Sequence, residues 1–134
     1  MNYYTQGIND EPLPGDAKLQ KKLAKLCAPR LPETGVEVGY YRDGGKEGII
    51  IFGEQFFVPE NLPEAFLDEV AKVLRRKKMP YLTFSIAYTA DRLVPGAIGG
   101  NRCIITDDGQ VVYRNEENSF SYQRKDGTSM THRI

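Results

Sequence analysis

Residues 93–102, LVPGAIGGNR, place three glycines and a proline between two apolar, strand-like segments and close on an arginine. Such a stretch raises the question of a phosphate cradle. A P-loop needs G-x-x-x-x-G-K-[ST], and no lysine followed by serine or threonine comes after Gly99 and Gly100. A dinucleotide fingerprint needs its glycines to open a helix, whereas this stretch runs into Cys103-Ile104-Ile105, a strand pattern, so no helix N-terminus would face an anion. No cofactor is expected. What survives is a connection longer than the roughly 2–6 residues usual between neighbouring strands, and long ordered loops often carry function. The residues expected to form a ligand or partner contact are Arg92, Leu93, Val94, Gly96, Ile98, Gly99, Gly100, Asn101 and Arg102. Gly99 and Gly100 would take positive φ and allow close backbone approach, while Leu93, Val94 and Ile98 offer apolar contact. Arg92 and Arg102 stand at the two ends, placed to engage a carboxylate.

The other chemistry-bearing residues weigh against an enzyme. The sole histidine, His132, lies close to the last residue, where a catalytic triad or a histidine metal site is not expected. Nothing near Cys103 suggests a lowered thiol pKa that would let it act with His132. Glu37, Glu54 and Asp91 are carboxylates that could pair in space, and Asp107-Asp108 belongs to a turn. No metal-ligand spacing appears. The run Arg75-Arg76-Lys77-Lys78 could meet phosphates. It also ends a helix that begins with Glu60, Glu64, Asp68 and Glu69, the order the helix dipole favours for structural reasons. Tyr40, Tyr41 and Arg42 on one strand, with Tyr81, Phe84 and Tyr88 on another, could stack bases, although half-buried strands use aromatics in any case.

The elements that must position these residues follow from periodicity. Residues 1–15 show none, hold Pro12, Pro14 and Gly15, and are expected to form an irregular N-terminal arm. Asp16 caps a first helix with the apolar stripe Leu19, Leu23, Leu26 and Cys27, and Pro29 and Pro32 end it. VEVGYYR (36–42) and KEGIIIF (46–52) flank Asp43-Gly44-Gly45 as a hairpin. Gly53 either bulges a strand that continues through 55–58 or starts a second turn. Asn61 is expected to cap a second helix, with Glu64 completing a capping-box-like pair and a stripe of Leu62, Phe66, Val70, Val73 and Leu74. YLTFSIAY (81–88) alternates as a half-buried strand. Asp108-Gly109 and Asp126-Gly127 each sit between strand-like runs.

The fold expected is α+β: one domain over residues 1–134, with a mostly antiparallel sheet of about five to seven strands built from Asp-Gly hairpins and two helices packed on one face. Phe66, Val70, Val73, Leu19, Leu23 and Leu26 should share its core. The chain has 134 residues, 40% of them hydrophobic, and 18 basic residues balance 18 acidic ones. No global field therefore pulls it toward nucleic acid or anionic lipid. No apolar run approaches the ~18 residues of a membrane helix. No signal peptide precedes Cys27 and Cys103, which are expected to be reduced, packed thiols in a soluble, cytoplasmic protein. The expected function is a non-catalytic binding or interaction module with a protein partner or small ligand. A homodimer is a further option, because a sheet leaves edges to protect, and membrane association is not expected. A weak single-stranded nucleic-acid binder is the alternative, though nucleic acid is disfavoured, and a small carboxylate-dependent enzyme comes third.

Overall fold

The computed structural model describes residues 3–90, 99–115 and 118–134. Strand β1 (Tyr3–Asn9) leads to helix α1 (Ala17–Cys27), the one-turn helix α2 (Leu31–Thr34) and the hairpin of β2 (Glu37–Asp43) and β3 (Lys46–Gly53). Helix α3 (Glu64–Arg76) follows, then β4 (Tyr81–Ala90), β5 (Gly99–Thr106), β6 (Val111–Tyr113), β7 (Ser119–Gln123) and β8 (Ser129–Arg133). Six strands form one sheet in the order β2-β3-β1-β4-β5-β6, and β7 pairs with β8 as a separate ribbon. Every pairing is antiparallel. The fold is α+β.

The largest departure from expectation is at the start of the chain. Residues 3–9 are a strand, not an arm, and occupy the middle of the sheet between β3 and β4. β1 pairs with β4 along its length, from Tyr3 opposite Ala90 to Asn9 opposite Phe84. It meets β3 only at Gly7 and Ile8. Beyond that point the Asn9 side chain takes over the pairing. Its Nδ2 donates to the carbonyls of Ile49 (3.1 Å) and Glu11 (2.8 Å), and its Oδ1 accepts from the Ile51 N–H (2.9 Å). The amide replaces strand backbone and closes a seam in the sheet. Leu13 then resumes pairing with Ile49.

The hairpins form where Asp-Gly predicts them. In the first, the turn proper is Gly44-Gly45, both at positive φ (56° and 84°), while Asp43 is still paired with Lys46; two left-handed residues match the twist of the strands they join. Gly109 and Gly127 take the left-handed position in the other two. Asp16 caps α1 as expected, its carboxylate accepting from the Leu19 N–H at 2.9 Å. α1 ends at Cys27, before Pro29 as expected, and Pro29 and Pro32 each fall in the first turn of a further short helix, where no N–H is needed. Asn61 does not cap α3. It ends a 3₁₀ turn (Pro59–Asn61), Pro63 precedes the helix, and the Asn61 amide donates to the Glu33 carbonyl. Gly53 ends β3, and residues 54–58 leave the sheet.

Both long helices pack on one face of the sheet. Leu23 and Cys27 of α1 and Phe66, Val70, Val73 and Leu74 of α3 are buried with Ile49, Ile51, Leu82, Phe84, Cys103 and Ile105 from the strands, and Leu19 and Leu26 pack at the margin. The alternation of β4 turns Leu82, Phe84 and Ile86 to this side. Among the described residues no helix is long and apolar enough to cross a membrane.

Candidate binding face

The opposite face of the sheet is half covered. The β7–β8 ribbon lies over its β4–β6 end: Tyr81 stacks on Phe120 (ring centroids 6.3 Å apart) and on His132 (4.8 Å), and Ile104 and Phe120 are buried. Two turns fasten the ribbon. Asp108 accepts from the Thr106 hydroxyl, the Gln110 amide and the Lys125 N–H, and Arg124 pairs with Asp107 at 2.6 Å. Partial burial raises the Asp108 pKa, but these donors outweigh it and hold the carboxyl below its usual range. Asp107 and Asp108 thus fasten structure, as turn aspartates do. His132 packs here, its Nε2 3.0 Å from the Tyr122 hydroxyl.

The β2–β1 end of the same face is bare. Strand parity brings Ile8 of β1, Ile50 and Phe52 of β3, and Tyr41 of β2 to this side. Ile8 is 44% exposed and Tyr41 37%, large values for side chains of this type in a sheet. Two shallow depressions of about 410 and 440 Å³ meet at Ile8 and Ser85. The strip stays level because Gly7, beside Ile8, has no side chain on the core side, where a Cβ would collide with the Phe57 ring. Along its border, Asp10 accepts hydrogen bonds from the Ser85 hydroxyl and from Arg102 Nη1 (3.1 Å). That ion pair fixes one carboxylate and one guanidinium beside the apolar strip.

Of the residues expected to form a contact loop, Arg92, Leu93, Val94, Gly96 and Ile98 lie outside the described residues. Gly99, Gly100, Asn101 and Arg102 are not loop but the start of β5, opposite Tyr88, Ala87, Ile86 and Ser85. Neither Gly99 nor Gly100 has a positive φ, because a paired strand holds both extended. Gly100 and Arg102 face the bare strip, next to Ala87 and Ser85, so part of the expected surface adjoins the one observed. Ile8 and Asp10, its centre and its anchor, fall in the segment taken for an irregular arm.

The other candidates separate. Tyr40 and Tyr41 point to opposite faces, Phe84 is in the core and Tyr81 lies under the ribbon, so no common stacking surface exists among them. Tyr40 donates to Glu47, which raises its own pKa and lowers that of Glu47. Glu37 and Glu54 share a depression with Phe56, but neither takes a side-chain hydrogen bond from another described residue, and Asp91 lies outside the described residues. Arg75 donates to the Asp107 carbonyl at 2.7 Å. Among the described residues no group of three or more His, Cys, Asp or Glu could hold a metal.

Cys103 and His132 are on opposite sides of the sheet. Burial, with smaller contributions from Glu60 and Asp10, pushes the Cys103 thiol up to about 12, and burial raises Cys27 as well. The raised value keeps the Cys103 thiol neutral well past the ordinary thiol range, and burial shifts Cys27 in the same direction. Iodoacetamide at about pH 8 is therefore expected to leave both cysteines of the folded protein unmodified and to alkylate both in denaturant. Intact mass before and after unfolding checks this, and rapid labelling of native Cys103 would contradict its burial.

Comparison with family models, curated proteins and solved structures found no match.

Proposed function

We propose that the protein is a non-catalytic interaction module that binds a protein partner through the bare half of the sheet and acts in the cytoplasm. The observation that carries this reading is an apolar strip of exposed Ile8 and Tyr41 with half-buried Ile50 and Phe52, beside a fixed Asp10–Arg102 pair on a face whose other half the chain covers for itself. Apolar centres with charged borders are the usual make-up of such contacts. The cytoplasmic placement rests on two cysteines that are buried free thiols.

A photoreactive benzoylphenylalanine replacing Ile8 is expected to give a discrete adduct in a lysate of the source cells, competed away by the unlabelled protein and weakened by Phe52→Asp. The same residue at Asp126, on the ribbon turn, is the comparison. With the captured partner purified, Ile8→Asp should weaken binding by about 10–100-fold while the melting temperature stays close to that of the parent, because this side chain is already exposed. Matching adduct patterns at the two positions would overturn the assignment of the face. An adduct of twice the chain mass would replace the separate partner with a second copy.

A further inference from the structure

On the helix side of the sheet the structure joins two charge runs that are distant in sequence. Lys22 of α1 bonds to Glu69 of α3 at 3.0 Å, Lys72 shares that carboxylate at 3.3 Å, and the start of α1 and the end of α3 line one depression. A cleft of about 540 Å³ opens between them, and Lys18, Lys22, Arg76 and Lys77 reach its walls. Among the described residues its carboxylates are Asp16, occupied as the α1 cap, and Glu69, already shared by two lysines. Lys18, Arg76 and Lys77 make no ion pair among the described residues.

Helix stability does not account for this arrangement. Cations at the end of α3 suit its dipole, but Lys18 stands in the first turn of α1, where the dipole disfavours positive charge, and no acidic residue shares that turn. A bound anion would satisfy the free cations. The chain is neutral overall, so this excess is local.

We propose that the cleft is a binding site for a compact ligand carrying two or three linked phosphates. Several cations on one small volume match that charge density, and the absence of a stacking surface among the aromatic residues considered above favours a compact anion over a nucleic-acid strand. The site is on the opposite side of the sheet from the protein-binding strip, so either can fail without the other.

Calorimetric titration with sodium tripolyphosphate at low salt is expected to show one saturable site, weakened as salt rises. Lys18→Glu with Arg76→Glu should weaken it at least about tenfold, whereas Arg114→Glu with Lys125→Glu, an equal charge change elsewhere, should leave it nearly unchanged. Thermal unfolding verifies that each variant is folded; if the first pair is not, Lys18→Gln with Arg76→Gln replaces it and should still weaken binding. Absence of saturable binding by the parent, or an equal loss in both pairs, would overturn the site. An oligothymidylate that binds more tightly than tripolyphosphate and competes with it would overturn the compact ligand in favour of a nucleic-acid backbone.

Discussion

Replacing Phe66 by alanine is expected to lower the unfolding free energy by about 3–5 kcal/mol, the cost of deleting a buried aromatic ring whose neighbours cannot fully close the space. Phe66 is completely buried in the first half of α3, in the cluster that joins both helices to the sheet. In a chain of this size that loss corresponds to a melting temperature lower by about 10–20 °C. Urea unfolding of the parent and Phe66→Ala measures it directly. A loss under about 1 kcal/mol would mean that α3 does not pack as described.

Asn9→Ala should also destabilise the fold, for a different reason. The amide satisfies two backbone groups of β3, the Ile49 carbonyl and the Ile51 N–H, inside the sheet. Alanine leaves the Ile51 N–H without a partner, at about 1–3 kcal/mol for a buried group, while the Ile49 carbonyl keeps the Leu13 N–H at 2.8 Å. Asn9→Asp separates this account from simple packing, since size is kept but the donor facing the Glu11 and Ile49 carbonyls is lost. An aspartate there would have its pKa raised by burial and by those oxygens. Its stability should therefore be greatest below the ordinary carboxyl range and fall as the pH rises through the raised value. A variant whose stability relative to the parent is the same at about pH 4 and pH 7 would show that the amide does not bridge the seam.

Several elements were legible in the sequence because local rules and tertiary packing agree in them. The Asp16 cap and the α3 stripe appear where expected, with Asn61 not capping α3, and the first hairpin turns at Gly44-Gly45 while Gly109 and Gly127 take the left-handed position in the other two. β1 was hidden because its core-facing positions are Thr5, Gly7 and Asn9. Gly7 makes room for Phe57, and Asn9 supplies hydrogen bonds that backbone would otherwise make. A central strand built this way lacks the apolar alternation by which strands are recognised, and the candidate face centred on Ile8 disappeared with it. Arg102 was picked out for its place beside a glycine loop; the structure instead gives it Asp10 as a partner, from the far end of the chain. The cationic cleft could not be seen either, because Lys18 and Arg76 are brought together only by the packing of α1 against α3.

The central place of β1 governs the order in which the sheet can assemble. Gly7 pairs with Gly53 of β3 and Ile8 with Ser85 of β4, so β1 can meet β3 early but its longer pairing waits until β4 has been synthesised. The β2–β3 hairpin can close locally, but it joins the rest of the sheet only through β1. The β4-facing edge of β1 therefore stays unpaired while α3 and β4 emerge, and its completion closes a long loop. Such late, distant pairing slows folding. During that interval the unpaired edge of β1 invites exchange between two nascent copies, so chaperone access should affect the yield of natively folded protein.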